Sequence, residues 1–399
     1  MELSGIGLFN ECYPPIMDGV SVTVKNYAYW LNKSVAPTIV VTPKFPGYTD
    51  HEDFMVYRYF SAPLPMRSPY RIGLPLLDQN IHSELSEIPL SILHTHSPFS
   101  AGTMALKISR KKKIPVIATF HSKYREDFET IISNKYIVDQ IIKRIITFYN
   151  SVDEVWIPQA HVEETLRSYG YIGKVEIVEN GVDMDPVPNI DIFRQESRKT
   201  LGIKPNDFVF LFVGQHIWEK NLRFLIESLH LFQNHNFTIL FVGEGYAKPE
   251  MEQLISAYNL SDKTKFLGLI TDREKLKKIY ASADLFLFPS LYDNAPLVVR
   301  EAALMHTPSL LLKGSTAAEV IQDGKNGYLS ENNPQLFYEK ICEIYCNSSD
   351  LKRTGENAAL TLCRPWKNII EEVKDRYLHL IWRKNLQKPF TSFSSVIQS

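Results

Sequence analysis

Disulfide chemistry is the first thing this sequence lacks. Its four cysteines in 399 residues, Cys12, Cys342, Cys346 and Cys363, are too few and too scattered for a cross-linked framework. Cys342 and Cys346 stand one helical turn apart without histidine companions, so they do not form a metal motif either. Reduced, structural thiols are expected, which suits a cytoplasmic protein. No stretch approaches the roughly 20 apolar residues that span a bilayer. The opening MELSGIGLFN has neither the basic flank nor the apolar core of a cleaved leader. Any meeting with a membrane is therefore expected at its surface, peripherally and from the inner face. Net charge is missing too: the formal value is −1, and no global field recruits nucleic acid. Repeats and low-complexity tracts are absent, and the tail TSFSSVIQS reads as frayed.

What is present is a globular composition, 44% hydrophobic and 22% charged, on a chain long enough for two domains. Strand-like runs alternate with helix-like ones: IGLFN (6–10), PTIVVTP (37–43), SILHTH (91–96), IPVIATFH (114–121) and DEVWIP (153–158). After a charged, Gly/Pro-punctuated stretch at 182–206 the rhythm restarts with FVFLFVG (208–214), FTILFVG (237–243), KFLGLI (265–270), LFLFP (285–289) and PSLLLKG (308–314). This alternation predicts an α/β chain of two doubly wound, Rossmann-like domains with a ligand cleft.

Chemistry concentrates in SLYDNAPLVVRE (290–301), where two carboxylates bracket a turn. The residue before a proline avoids helical angles and proline is favoured at a helix start, so Asp293 is expected on a loop and Glu301 on the second helical turn. A strand, a tight loop and a helix start together favour an anion, here at backbone amides near Ala295 to Val298, with Glu301 accepting from hydroxyls. The alternative is an ordinary strand-to-helix junction with two solvated acids. In VGQHIWEKN, Gly214 permits close backbone approach and Lys220 offers a point charge for phosphate. His94 and His96 lie on one face of a strand. They could share a metal, but no third ligand has a supporting spacing, and a positioning role is preferred. Asp183-Met184-Asp185 imitates a metal-binding Asp-X-Asp pattern, yet it follows ENG in the connection between the two series and is read as linker.

Taken in order, these stretches resemble the family-four retaining glycosyltransferases. YPPIMDGVSVTVKNYAYWL, HTHSPFSAG, ATFHSKY and VENGVD resemble the first half of that family. FLFVGQHIWEKN, ILFVGEG, KFLGLI, ASADLFLFPSLYDNAPLVVREA and GSTAAEVIQDGKNGYL resemble the donor-binding half. The likeness runs from about residue 6 to about residue 330, and the histidine-bearing first half is most similar to members that glycosylate membrane lipids such as diacylglycerol. The resemblance implies the GT-B fold of two Rossmann-like domains facing across a cleft: an acceptor domain (1–185), a nucleotide-sugar domain (186–364), and a C-terminal helix (365–399) crossing back to the first domain.

It also implies roles. Asp293, where the family usually has Glu, would contact hydroxyls of the transferred sugar, and Glu301 the ribose. Asn294-Ala295-Pro296 replaces the common Thr-Phe-Gly, leaving the amides of Ala295, Leu297 and Val298 for the sugar or diphosphate. Lys220 matches the diphosphate lysine, while Gln215 stands where an arginine is usual. Gly19 would approach the donor, with Asp18 in place of a second glycine or as an ordinary helix cap. Leu269 and Ile270 would flank the base. His121 would sit beside the reacting sugar, with His94 and His96 on the acceptor side, positioning the acceptor or its loop. The implied activity is transfer of a hexose from a nucleotide-diphosphate sugar, expected to be a UDP-hexose, to a lipid hydroxyl. The implied reaction needs no obligatory metal or other cofactor. Its alternatives are a polysaccharide or small soluble glycoside as acceptor, or a nucleotide-sugar-binding protein without catalysis. The basic run Arg110-Lys111-Lys112-Lys113, with Lys135, Lys143 and Arg144 in NKYIVDQIIKRIITFY, would face an anionic membrane, or else form a solvated face over core-facing isoleucines.

Overall fold

Strands that are apolar on both faces need cover on both sides, and helices supply it in each half of the chain. The computed structural model describes residues 3–65, 67–204 and 207–386, so the tail TSFSSVIQS lies outside the described residues. Two compact units result, one of the described residues up to Glu179 together with the helix Trp366–Leu386, the other of Asn180–Pro365. The division falls before residue 185 because the connecting stretch is tied to the second unit, where the Val182 N–H donates to the Arg364 carbonyl at 2.9 Å. The helix Trp366–Leu386 is part of the first unit, burying Trp366, Ile369, Ile370, Val373 and Tyr377 against Leu8, Val24 and Tyr27.

In the first unit the strands are β1 (Ile6–Phe9), β2 (Thr38–Pro43), β3 (Met55–Tyr59), β4 (Ser61–Pro63), β5 (Arg71–Gly73), β6 (Ile92–Thr95), β7 (Val116–Thr119), β8 (Glu154–Ile157) and β9 (Val175–Ile177). Seven of them form a parallel sheet in the order β3-β2-β1-β6-β7-β8-β9, and β4 and β5 make a separate antiparallel pair. Chain order reverses between β1 and β6, the position at which open α/β sheets leave a crevice beyond the strands' carboxyl ends. Asp18 and His96 follow those two strands. The helices Ser100–Lys112 and Lys135–Tyr149 both connect strands running away from β6, so right-handed crossovers put them on one face of the sheet.

The second unit adds β10 (Phe208–Val213), β11 (Phe237–Val242), β12 (Thr264–Phe266), β13 (Leu285–Phe288), β14 (Ser309–Leu312) and β15 (Tyr328–Ser330), parallel in the order β12-β11-β10-β13-β14-β15. Its reversal lies between β10 and β13. The expected strand KFLGLI is cut short at Phe266, because Gly268 takes a left-handed φ of +70° that no ladder tolerates. Each expected strand core is present; β3, β4, β5, β9 and β15 are additional.

Candidate active site

The loops leaving β10 and β13 bring the acid and base residues of the second unit together. After β10 the chain passes Gly214 and the half-buried Gln215 into a short 3-10 turn, Trp218–Lys220. Gly243, after β11, makes this path possible: a Cβ there would stand 1.9 Å from the Gly214 carbonyl oxygen. The Lys220 ammonium pairs with the Asp293 carboxylate, and both side chains are largely buried. It also lies 5.4 Å from the centroid of the Tyr292 ring. Trp218 packs on the second unit's own core, with the Arg223 guanidinium 4.9 Å from its ring centroid.

Asp293 sits on the loop and Glu301 on the second turn of the helix Leu297–Leu304. The buried Ser290 hydroxyl shapes the turn by accepting from the amides of Tyr292 at 3.2 Å and Asp293 at 3.3 Å. Pro296 occupies the cap position and provides no side-chain cap, so the helix opens at Leu297 and Val298 without a carboxylate or hydroxyl over its first amides. While Asp293 Oδ1 meets Lys220, Oδ2 is buried with no hydrogen-bond partner. Asn294 is buried; Ala295, Leu297 and Val298 are half-buried. Leu269 is exposed and Ile270 packs partly on the core, so this pair presents one free apolar side chain beyond β12.

Glu301 is buried, and neither of its oxygens is left to solvent alone. Arg273 donates to Oε1 at 2.6 Å and the Tyr280 hydroxyl to Oε2 at 2.7 Å. Arg273 also pairs with Asp183, so the connecting stretch read as plain linker is joined to Glu301 through one guanidinium. Burial opposes the Arg273 charge, but the two carboxylates outweigh it and its pKa is raised; burial and the Glu301 charge push the Tyr280 phenol far up. Sequence reasoning missed both partners. Arg273 merely follows Asp272, which caps the helix Arg273–Ser282, and nothing in that spacing points to residue 301.

In the first unit, His94, His96 and His121 stack in series, His94 on His96 at 4.2 Å and His96 on His121 at 5.2 Å between ring centroids. His94 is fully buried. Its Nδ1 bonds the Tyr377 hydroxyl and its Nε2 the Thr119 hydroxyl, both at 2.7 Å, so both ring nitrogens are committed inside the first unit. His96 Nδ1 lies 2.9 Å from His121 Nε2. Burial lowers the pKa of His94 and His96 far below the histidine range and that of His121 to about 3, so all three rings are neutral at physiological pH. Among the described residues no group of three or more His, Cys, Asp or Glu side chains is arranged to hold a metal ion.

Asp18 behaves as a helix cap. Its Oδ1 accepts from the Ser21 amide at 2.7 Å, while the Ser21 hydroxyl accepts from the Asp18 amide at 3.0 Å, a reciprocal capping box. The carboxylate is thereby turned into its own helix, and Gly19 beside it has open space around its α-carbon. Of the basic run, Lys112 is folded inward onto the carbonyls of Ser86 and Ile88, at 2.6 and 2.8 Å. Arg110, Lys111, Lys113, Lys135, Lys143 and Arg144 are exposed. In the helix Lys135–Tyr149, Ile142, Ile145 and Ile146 face the core, whereas Tyr136 and Ile137 at its start are exposed.

Comparison with known proteins gives the arrangement its family. Residues 17–186 match the model of Glycosyltransferase Family 4, and residues 193–361 that of Glycosyl transferases group 1. The chain is 24% identical over 395 residues to an alpha-monoglucosyldiacylglycerol synthase of Acholeplasma laidlawii, covering 95% of this chain and 98% of that one. It is 23% identical to the alpha-monoglucosyldiacylglycerol synthase of Streptococcus pneumoniae, covering 98% of this chain and 90% of that one. Among solved structures, sucrose-phosphate synthase from Thermosynechococcus elongatus superposes with a TM-score of 0.78 at 18% identity, over 95% of this chain and 100% of its own. Anabaena HepE in complex with UDP-glucose superposes at 0.74 with 16% identity, over 95% and 100%. No described helix is long and apolar enough to cross a membrane. Two Rossmann-like sheets, each with its polar residues at the strand-order reversal, and two adjoining family matches that together span most of the chain lead to one conclusion: this protein belongs to the glycosyltransferases of the GT-B fold.

Proposed function

We propose that the chain transfers a hexose from a UDP sugar, with retention at the anomeric carbon, to a hydroxyl of a diacylglycerol-type membrane lipid. The observation that carries this reading is the β13 loop, where a buried, unpartnered carboxylate oxygen of Asp293, the Lys220 ammonium and the uncapped start of the helix Leu297–Leu304 are gathered. Asp293 Oδ2 accepts from a sugar hydroxyl. Lys220 and the amides of Ala295, Leu297 and Val298 hold the diphosphate, without an obligatory metal. Glu301, oriented by Arg273 and Tyr280, keeps lone pairs for the ribose hydroxyls. Gly19, Gly214 and Gln215 border the donor, and Leu269 with Ile270 flanks the base. The acceptor oxygen bonds to the anomeric carbon on the face from which the diphosphate leaves. The carbon–phosphate-oxygen bond breaks, and the hydroxyl proton passes to the departing diphosphate. The protein orients the reactants and stabilises charge.

Similarity to two alpha-monoglucosyldiacylglycerol synthases supports the lipid acceptor, as do the exposed cations on the helices Ser100–Lys112 and Lys135–Tyr149, which share one face of the first sheet. On that reading the enzyme works peripherally at the cytoplasmic membrane face. The test is a thermal-shift screen with UDP, GDP and ADP sugars. The preferred ligand at about a hundred times its dissociation constant should add roughly 2.7 kcal/mol. It is followed by transfer to diacylglycerol in anionic liposomes. Stabilisation by GDP or ADP sugars alone sinks the UDP assignment. Transfer only to soluble glycosides sinks the lipid. Binding without turnover, unchanged in Glu301→Ala, leaves a sugar-nucleotide-binding protein.

A further inference from the structure

The His96 ring is buried, and among the described residues its Nδ1 is hydrogen-bonded to His121 Nε2 at 2.9 Å while its own Nε2 is enclosed and has no hydrogen-bond partner. A neutral imidazole carries a single N–H, and two nitrogens in contact must be one donor and one acceptor. Only two arrangements satisfy both conditions. In one, His96 Nδ1–H donates to a bare His121 Nε2, which puts the His121 proton on Nδ1 and leaves His96 Nε2 as an unused lone pair. In the other, His121 Nε2–H donates to His96 Nδ1, which forces the His96 proton onto the enclosed Nε2, a buried donor without an acceptor. Orphaned buried N–H groups are the rarer state in folded proteins, and an under-used acceptor is better tolerated. The Tyr27 ring, its centroid 5.2 Å from that of His96, offers at most a weak π contact.

We propose that His96 is a positioning residue that fixes the tautomer of His121, holding the His121 proton on Nδ1. The rest of the cluster keeps the His96 ring from rearranging. Its backbone N–H is bound to the Phe9 carbonyl at 2.8 Å, and the ring lies on His94, whose two nitrogens are committed to Tyr377 and Thr119. Both rings of the pair are kept neutral by burial, so neither gains a second N–H near neutral pH. In the transfer proposed above, on which only this consequence rests, the His121 Nε2 lone pair is taken up by His96. The acceptor's proton then goes to the diphosphate instead of to that nitrogen.

The test is nitrogen NMR on the full chain with 15N-labelled histidine. Long-range proton–nitrogen correlations distinguish the two tautomers, and signals are assigned by their loss in His96→Asn and His121→Asn. The expected wild-type spectrum has both His96 and His121 protonated on Nδ1. A proton on His121 Nε2 overturns the proposal whether or not the chain turns over donor, and where a variant does not fold the ring signals are assigned in the wild type through their β-carbons. A correct tautomer in a chain that transfers no sugar supports the proposal and sinks the functional reading, so the two failures are distinct. In the transfer assay, the His96→Asn amide nitrogen takes the place of Nδ1 and can still donate. It should retain at least about ten times the kcat of His96→Leu, the effect of one lost hydrogen bond to a buried group, with little change in donor KM. Equal kcat in the two variants, both folded by thermal melt, overturns the positioning role.

Discussion

The two units solve the same problem, a polar cluster at the reversal point of a parallel sheet, with opposite electrostatics. The first unit uses neutral rings. His94, His96 and His121 are stacked, largely enclosed and tuned by burial to stay uncharged. The second uses full charges already compensated in pairs, Lys220 with Asp293 and Arg273 with Glu301 and Asp183. Neutral clusters are held by hydrogen-bond geometry, which salt hardly touches. Compensated charges are held by partners, and removing one partner strands the other in a poorly solvated place. The units should therefore fail differently.

The largest expected effect is at Arg273. Arg273→Met removes the cation shared by Glu301 and Asp183 and leaves the Glu301 carboxylate buried without it, and a buried pair broken on one side costs about 3 to 5 kcal/mol. The guanidinium is itself about a third exposed, so the expected loss is nearer 2 kcal/mol. Urea unfolding of the full chain measures it. Adding Glu301→Gln should recover part of the loss, because the stranded charge is then gone. A double variant as unstable as the sum of the two singles would mean the pair is not coupled. The matching break in the first unit, Tyr377→Phe, removes one hydrogen bond to His94 and should cost only about 1 kcal/mol.

Next comes Lys220. A hydrogen-bonded charge contact is worth about 1.5 to 3 kcal/mol, so Lys220→Met should weaken UDP-sugar binding by roughly tenfold to a hundredfold. Its Asp293 partner subtracts from that, since the ammonium must be shared between carboxylate and diphosphate. Donor affinity should fall with added salt in the wild type and less steeply in Lys220→Met. His121→Asn should lower kcat with the salt dependence unchanged, as expected of a neutral ring. Equal salt slopes for wild type and Lys220→Met would erase the contrast between the units.

How much of this could be read from residues alone follows the same division. Alternation of apolar runs with helical patterns located the ten strand cores, since a strand buried on both faces must be apolar throughout. It missed β3, β9 and β15, which lie at sheet edges, and the short antiparallel pair β4 and β5, and it overran β12, where one glycine ends the ladder. Asp293, Glu301 and Lys220 were legible because each lies next to a turn or helix start whose chemistry is local. Their partners were not. Arg273 reaches Glu301 across 28 residues and Asp183 across 90, and only the folded sheet brings them together. That His94 is fully covered was hidden for the same reason. Strand alternation gives it and His96 one face, but whether that face is covered depends on Tyr377, 283 positions away. Asp18 went the other way: its capping box with Ser21 is a three-residue pattern that was open to reading from the start.

His216 gives the smallest and most specific test, because it carries the first unit's device into the second without its support. It lies in the loop after β10, fully buried among Phe241 and Phe266, and neither ring nitrogen has a hydrogen-bond partner, whereas His94 has two. Burial lowers its pKa to about 4. In the unfolded chain it titrates near 6.5, so between about pH 6.5 and 4 the unfolded state binds the extra proton and stability falls as pH is lowered. His216→Leu removes that term and fills the apolar site. The variant should match or exceed the wild type at pH 7. Below pH 6.5 its advantage should widen by up to about 1.4 kcal/mol per pH unit. The raised pKa values of Glu11 and Asp18 act in the opposite sense but are common to both proteins and cancel in the difference. Calorimetry at pH 7 and pH 5 reads it. A constant gap between the two melting curves would mean that the buried ring is protonated in place, and that a histidine without partners is no more acid-sensitive than one with two.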